Sequence, residues 1–376
     1  MLLRTLGCQA KRAANAVAQS GCPAALGKHA VRTTMRRLQT CASTGAAHLR
    51  LHEPGELEAL PAVLASLATP PDVAELNAKC EAAAAQTPPL DAINDPVGAR
   101  EARAAIYEHE PRRVDDAIPG LQASDPPVGI SVFEPPAGTA VSGLYLQFHG
   151  GGWVVGSAYG QSDGRLQRMA DNLSAVVVSV EYRLAPEATY PAPVDDAVAA
   201  LNWAVSVGAE KYGAPALVAG GESSGAHLLL AGLLRCSADV RQRYAALNLV
   251  YGYTDLVGTP SRLAFGRRLV FCNSELDWFA RLFCPDPAMR ADASPLRADL
   301  PDDLPPALFS VGTCDALLDD TLELARRWPA AAELVVYPGA AHGVGHFGPH
   351  EHTLQGKDLL RRVDAYVGAA FARLGS

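Results

Sequence analysis

From about residue 129 onward, short apolar runs alternate with helix-like segments, and this alternation constrains the fold more than any other feature. Seven runs predict strands, at 130–134, 143–148, 175–181, 216–220, 246–251, 307–312 and 334–337. Helices are predicted between them, near 162–173, 194–209, 225–236, 317–328 and 354–373. This alternation predicts an α/β fold with a mostly parallel central sheet and helices on both faces.

Two segments interrupt the alternation and predict a helical cap. Residues 56–110 are rich in Ala, Leu and Glu and are divided by Pro-Pro pairs, which predicts separate helices. Residues 254–303 run for about fifty residues between two strands, where a connection usually has about 4–6. We therefore expect an N-terminal helical cap segment over 51–128 and an α/β domain over 129–376, with a cap insertion at about 254–303.

The first fifty residues differ in charge from the rest of the chain. Residues 1–52 contain eight Lys and Arg and no Asp or Glu. This pattern predicts a transit peptide over 1–50, mitochondrial before plastid, with a disordered leader of a cytoplasmic protein as the alternative. The rest of the chain keeps 24 basic against 40 acidic residues, which argues against nucleic-acid binding. No apolar run approaches the roughly 20 residues that span a bilayer, so no integral membrane segment is expected.

A strained turn between a strand and a helix is predicted at AGGESSGAH, residues 219–227. Gly221 to Gly225 match the pattern GxSxG, with the run ALVAG before it and the apolar helix AHLLLAGLLR after it. In this context the middle serine stands exposed at the end of the strand, where its hydroxyl can attack a carbonyl. Ser223 is therefore the candidate nucleophile, and Ser224 contributes its backbone N–H. We expect a structural role for Glu222.

A serine nucleophile needs a base, and the base needs an orienting carboxylate. In this type of fold the order along the chain is Ser, Asp or Glu, then His, each after a strand. Asp315 directly follows the strand at 307–312, and His342 follows the strand at 334–337. The rivals are Asp319 and Asp320, for which solvated or helix N-terminal roles are expected, and His346, which lies further from the strand.

Several stretches resemble the hormone-sensitive-lipase branch of the α/β-hydrolases, which includes family IV esterases and arylacetamide-deacetylase-like enzymes. They occur in the family's order and are HGGGW (149–153), EYRLAPE (181–187), YPAPVDDA (190–197), GESSGA (221–226), DWF (277–279), SPLRADL (294–300), PPALFSVGTCDALLDD (305–320) and PGAAHGV (338–344). The resemblance implies an α/β-hydrolase core with a helical cap and hydrolysis of small-molecule carboxylic esters without a metal or cofactor. The family often has Asp and Ala where this chain has Glu222 and Ser224.

The glycine run HGGG supplies bare backbone at the end of the strand 143–148. We predict that the N–H groups of Gly150, Gly151 and Ser224 hold the oxyanion of an ester hydrolase. Gly152 shapes the turn in this interpretation, and His149 braces the loop. Oligomeric state and natural substrate are not indicated by the sequence.

Three aromatic residues are candidates for the substrate pocket. Trp153 follows the glycine run, where it is also expected to anchor the loop by packing. Trp278 and Phe279 lie in the cap insertion at near-helical spacing, which equally favours packing of the cap on the core. Two alternatives use the same fold: a dehydratase of flavonoid-type hydroxy substrates, and a small-molecule receptor that has lost the catalytic histidine. Nucleotide binding at the glycines is disfavoured, because the chain has neither GxGxxG nor GxxxxGK[ST].

Overall fold

The central feature of the computed structural model is one large, mostly parallel sheet. The structure describes residues 39–40, 44, 46–51, 64, 67–105, 107, 110–347 and 350–374. Within these residues the sheet has ten strands in the order β1-β2-β10-β9-β8-β7-β5-β6-β4-β3. Most of the predicted leader, residues 1–38, lies outside the described part of the chain.

All seven predicted strands are present and form the body of the sheet. They are β4 (Val128–Phe133), β5 (Leu144–Phe148), β6 (Val176–Glu181), β7 (Leu217–Glu222), β8 (Tyr244–Val250), β9 (Ala307–Cys314) and β10 (Ala332–Ala341). The six strands from β5 to β10 pair in parallel with one another, whereas β4 pairs antiparallel with β6. Every residue of β5 and β7 is buried, as expected for strands covered on both faces.

Three further strands lie at the edges of the sheet, where the sequence predicted none. These are β1 (Gln39–Thr40), β2 (Ala47–Leu51) and β3 (Val114–Ile118). β2 pairs antiparallel with β10, so the sheet extends into the range predicted as a leader. β3 lies within the predicted helical segment, and four of its five residues are exposed. An edge strand of this kind is held by backbone pairing and lacks the apolar pattern that predicts a buried strand.

The helices follow the predicted alternation. They are α1 (Pro71–Ala84), α2 (Leu90–Ile93), α3 (Pro96–Ala104), α4 (Asp163–Leu173), α5 (Ala192–Trp203), α6 (Ala209–Lys211), α7 (Ser224–Arg235), α8 (Ala238–Arg241), α9 (Pro260–Ala264), α10 (Asn273–Phe283), α11 (Leu318–Arg327) and α12 (Leu354–Leu374). α12 packs on α4, whereas α7 packs on α5, so two groups of helices cover the sheet. No described helix combines the length and the apolar character that crossing a membrane requires.

The N-terminal helices and the insertion between β8 and β9 contact each other directly. Arg268 donates to the carbonyl oxygens of Ala84 and Thr87 at 2.8 and 2.6 Å. The indole Nε1 of Trp278 donates to Oδ1 of Asn94 at 2.8 Å. Side chains of the insertion therefore bind the ends of α1 and α2, and the two segments form one connected layer.

The start of the insertion is fixed by a buried carboxylate, Asp320 of α11. Its oxygens accept hydrogen bonds from the backbone N–H groups of Thr254 and Asp255 at 2.9 and 2.8 Å and from the hydroxyl of Thr259 at 2.7 Å. Its residue exposure is 0 %. A solvated role for Asp320 is therefore wrong: it anchors the chain where the insertion leaves the sheet.

Replacing Asp320 with alanine lowers the free energy of unfolding by about 3 kcal/mol, because three buried donors lose their acceptor. Asn is the matched control, since one amide oxygen can still accept from both backbone N–H groups. We expect Asp320→Asn to lose less than half as much. Urea unfolding monitored by circular dichroism measures both variants, and equal stability of Asp320→Ala and the wild type would contradict the anchoring role.

Candidate active site

Four loops that carry the predicted site residues follow four strands of the parallel part of the sheet, in which β8 lies between β7 and β9. The glycine run follows β5, Ser223 follows β7, Asp315 follows β9 and His342 follows β10. The carboxyl ends of parallel strands lie at one edge of a sheet, where ligand sites of α/β proteins are built. The topology therefore gathers the predicted residues at a single edge.

Ser223 occupies a sharp turn between β7 and α7. Its backbone angles are φ 55° and ψ −121°, a conformation that costs a non-glycine residue about 1–3 kcal/mol. The turn requires glycine nearby, since a Cβ on Gly225 would collide with the carbonyl group of Phe148 at the end of β5. The N–H of Ser223 donates to the carbonyl oxygen of Val250 at 2.9 Å, which fixes the turn against β8.

The side chains of Ser223, His342 and Asp315 form one hydrogen-bonded chain. Nε2 of His342 lies 3.0 Å from Oγ of Ser223, and its Nδ1 lies 2.9 Å from Oδ2 of Asp315. The other oxygen of Asp315 accepts from the N–H of Leu317 at 2.9 Å. A carboxylate facing Nδ1 places the ring proton there, so Nε2 is free to accept the serine proton.

The rival histidine His346 has a different environment. Its ring packs edge-on against Tyr251, with ring centroids 5.8 Å apart, and its Nδ1 lies 3.3 Å from the carbonyl oxygen of Val344. Burial lowers the pKa of His346 well below its usual value. Its ring is bound to the loop and makes no hydrogen bond to Ser223.

The glycine loop offers a different set of N–H groups from the predicted one. Gly151 and Gly152 have φ values of +136° and +61°, which favour glycine. The N–H of Gly150 donates to Oε1 of Glu222 at 3.2 Å, so the prediction of Gly150 as an oxyanion donor is wrong. Among the described residues, nothing accepts from the N–H groups of Gly151, Gly152 or Ser224.

His149 is buried beneath this loop and supports it, as the sequence predicted. Its ring stacks on Tyr182 with centroids 4.2 Å apart, and its Nδ1 lies 2.9 Å from the carbonyl oxygen of Gly150. The hydroxyl of Tyr182 donates to the carbonyl oxygen of His149 at 2.7 Å. Burial lowers the pKa of His149 to about 4, so the ring is neutral near pH 7.

Trp153 connects the glycine loop to α7 and to the insertion between β8 and β9. Its Nε1 donates to Nδ1 of His227 at 3.2 Å, and Nε2 of His227 donates to the carbonyl oxygen of Ala293 at 2.7 Å. The indole is fully buried and stacks on Phe283 with ring centroids 4.5 Å apart. Trp153 therefore packs as the loop anchor that the sequence predicted as one of its two roles, and it is not among the residues that line the cavity beside His342.

The two aromatic candidates from the cap insertion differ in position. Trp278 is buried and bonded to Asn94, so it too packs within the cap. Phe279 lies directly over the glycine loop, because a Cβ on Gly152 would meet its ring. Phe279 also packs edge-on against Phe271, with ring centroids 5.4 Å apart. Of the two predicted pocket residues in the insertion, Phe279 is the one whose ring lies against the glycine loop.

A narrow apolar cavity, with room for little more than a single water molecule, adjoins His342 and Asp315. Its walls also include residues that the sequence analysis did not single out, namely Phe265, Leu269, Val270, Phe271, Leu276, Cys314, Ala316 and Leu317. Half of them, Phe265, Leu269, Val270 and Phe271, precede α10 and lie outside the motif stretches quoted above. The walls therefore place hydrocarbon around His342 and leave little room beside it for water.

His227 is neutral because it is buried, and burial lowers its pKa to about 4. In the unfolded chain a histidine has a pKa of about 6.5, so between pH 4 and 6.5 the unfolded state binds more protons and stability falls as the pH falls. We expect His227→Gln to reduce this slope by about 1 kcal/mol per pH unit near pH 5.5. Urea unfolding at pH 5, 6 and 7 measures the slope, and identical slopes for variant and wild type would contradict the buried neutral state.

No group of three or more His, Cys, Asp or Glu side chains in the described ranges is arranged to hold a metal ion. The five cysteines whose state the structure describes are free thiols.

Comparison with known proteins gives matches over the same region. A model of the family described as "alpha/beta hydrolase fold" matches residues 145–346. An ethyl acetate hydrolase of Pseudomonas putida is 33% identical over 236 residues, which cover 58% of this chain and 72% of that protein. Esterase LipI of Mycobacterium tuberculosis is 31% identical over 252 residues, covering 64% and 77%. The structure of a hyperthermophilic esterase from Pyrobaculum calidifontis matches with a TM-score of 0.68 and 27% identity, covering 81% of this chain and 99% of that one.

Proposed function

The chain belongs to the α/β-hydrolase-fold family, and from this premise we propose that it is a serine carboxylic-ester hydrolase acting on short to medium acyl esters. The observation that carries the proposal is the hydrogen-bonded chain from Ser223 through His342 to Asp315. Relatives that are named as hydrolases of carboxylic esters support the reaction class.

Acylation begins when Oγ of Ser223 attacks the ester carbonyl carbon. Nε2 of His342 takes the serine proton, and Asp315 stabilises the resulting imidazolium through Nδ1. The carbonyl π pair moves to oxygen and forms a tetrahedral oxyanion. Collapse of this intermediate breaks the bond to the alkoxy group, which leaves as the alcohol with the proton from His342.

The oxyanion needs donors that are free before substrate binds. We assign this role to the N–H groups of Gly151, Gly152 and Ser224, which have no acceptor among the described residues. Gly152 replaces Gly150 in this set, because the N–H of Gly150 is bound to Glu222. Ser224 is the first residue of α7, so the positive end of the helix dipole adds to the stabilisation.

Deacylation repeats the same steps with water. His342 takes a proton from water, the hydroxide adds to the acyl carbon, and the intermediate collapses to release the carboxylic acid and restore the Ser223 hydroxyl. The apolar walls beside His342 favour an ester with hydrocarbon groups, and the narrow space between them favours small ones.

Two alternative functions on the same fold are a small-molecule receptor and a dehydratase. A receptor that lost the catalytic histidine is disfavoured, because His342 is present and bonded to Ser223. No feature of the described residues favours dehydration of a flavonoid-type substrate over ester hydrolysis.

The test is a direct comparison of substrates on the purified protein. We expect hydrolysis of p-nitrophenyl acetate and butyrate, covalent labelling by a fluorophosphonate probe, and no dehydration of a hydroxy-isoflavanone. An acyl-chain series from two to twelve carbons then locates the optimum, which we expect at the short end. Dehydration without ester hydrolysis, or failure of the probe to label the protein, would contradict the proposal.

For localisation, we propose that the Arg-rich leader directs the protein to mitochondria. Fusion of residues 1–50 to a fluorescent protein tests this. A diffuse signal throughout the cell would contradict the proposal.

A further inference from the structure

Glu222 joins the nucleophile turn to the oxyanion loop. It is the last residue of β7, directly before Ser223, and its residue exposure is 5 %. Although it neighbours the nucleophile in sequence, its side chain binds residues of β5 and the loop after it. A buried carboxylate is costly unless it is paired and hydrogen-bonded, so its partners indicate why the chain tolerates it.

Three groups surround this carboxylate. Oε1 accepts from the backbone N–H of Gly150 at 3.2 Å, and Oε2 accepts from Nε2 of Gln147. The guanidinium of Arg165 lies 3.6 Å from Oε1, and both side chains of this ion pair are largely buried. The carboxylate is thus held by two N–H donors and one cation.

Both peptide groups that flank the Cα of Gly150 are held by hydrogen bonds. While its N–H is held by Glu222, its carbonyl oxygen lies 2.9 Å from Nδ1 of His149 and accepts from Nε2 of Gln161 at 3.3 Å. The next two N–H groups along the chain, those of Gly151 and Gly152, are the ones left without an acceptor. Because Gly150 directly precedes them, holding its two peptide groups determines the direction in which the N–H groups of Gly151 and Gly152 point.

The charge on the Glu222 carboxylate affects the strength of the hydrogen bond that holds Gly150. Burial raises the pKa of Glu222, while Arg165 and the N–H donors of Gly150 and Gln147 oppose that rise. A carboxylate accepts stronger hydrogen bonds than a neutral acid or an amide. The charged form therefore holds Gly150 most firmly, and Arg165 stabilises this form.

We propose that Glu222 is a positioning residue of the hydrolase: its carboxylate, paired with Arg165, holds Gly150 so that the N–H groups of Gly151 and Gly152 are oriented for the oxyanion. Glu222 acts through the loop and does not touch the substrate. The inference rests on the proposed function, since it assigns a role within that reaction.

The test compares Glu222→Ala and Glu222→Gln with Glu323→Gln, a matched change on the exposed face of α11. Since loss of one oxyanion donor costs about 10²–10³ in kcat, we expect Glu222→Ala to lose about 100-fold in kcat with KM changed less than about 3-fold. Glu222→Gln keeps an acceptor for Gly150 but loses the charge, so we expect a loss of about 10-fold. A boronic acid that adds to Ser223 should bind more weakly in proportion to the loss in kcat/KM.

Glu222→Gln and the wild-type enzyme serve as further references, so each possible result either supports or contradicts the proposed role. A folded Glu222→Ala with kcat within about 3-fold of Glu323→Gln would overturn the role, as would a loss confined to KM. If thermal melting shows that Glu222→Ala does not fold, Glu222→Gln is judged by whether its kcat falls or stays unchanged. Inactivity of the wild type on all esters would instead contradict the proposed function, and this role with it.

Discussion

Replacing Ser223 with alanine lowers kcat for p-nitrophenyl butyrate by about 10⁵-fold or more, because the attacking oxygen is lost. The remaining oxyanion donors cannot replace a nucleophile, so only a small rate above the uncatalysed reaction survives. Ser223 is 9 % exposed and its hydroxyl bonds only to His342 among the described residues. The change therefore removes one hydrogen bond and leaves the packing of the turn in place.

The measurement is kcat from initial rates, together with fluorophosphonate labelling and thermal melting. Ser237→Ala, in the loop before α8, is the surface control and keeps full activity. Ser224→Ala separates the two adjacent serines, because the backbone N–H of Ser224 survives the change and its Oγ has no hydrogen-bond partner in the described structure. Wild-type kcat in Ser223→Ala together with a loss in Ser224→Ala would exchange the two assignments.

The body of the sheet and the triad geometry were accessible from sequence for physical reasons. β6 and β7 are buried on both faces, so their sequences are continuous apolar runs with a clear beginning and end. Parallel strands place their following loops at one edge, so the order of Ser223, Asp315 and His342 along the chain was enough to predict their proximity. Two hydrogen bonds of 2.9 and 3.0 Å confirm that proximity.

The donors of the glycine loop were not accessible in the same way. Three consecutive glycines look alike in sequence, and which N–H groups are free depends on an acceptor from another strand. Oε1 of Glu222 binds the N–H of Gly150 across 72 positions of sequence. That contact exists only after β5 and β7 have paired, so the spacing of residues in the loop could not predict it.

The choice between the two roles predicted for Trp153, and the role of Asp320, depend on three-dimensional contacts for a related reason. A tryptophan beside a site is typical both of a pocket wall and of a packing anchor, and burial against Phe283 distinguishes them only in three dimensions. Asp320 lies in the first turn of α11, where an acidic residue is commonly solvated. Its partners at Thr254 and Thr259 come from the insertion, which is far away in sequence. Contacts between residues far apart in sequence decide both cases.

Asp315→Asn tests the remaining member of the triad with almost no change of shape. We expect kcat to fall by about 10⁴-fold, because the Asn amide can donate toward Nδ1 of His342 and favour the tautomer with the proton on Nε2. That nitrogen faces Oγ of Ser223 at 3.0 Å and could then no longer accept its proton. The loss should lie in kcat rather than in KM, since Asp315 acts through the base.

The matched control for this test is Asp319, the other carboxylate considered for orienting His342. Asp319 lies one turn further on, and its side chain accepts from the N–H of Ser261 at 2.7 Å, a bond that an amide oxygen can also accept. We therefore expect Asp319→Asn to retain kcat within about 3-fold of the wild type, since its change lies on the cap side of α11. Steady-state kinetics on both variants decide between the carboxylates. An active Asp315→Asn beside an inactive Asp319→Asn would transfer the orienting role to Asp319, whereas the bond of 2.9 Å between Asp315 and His342 predicts the opposite order.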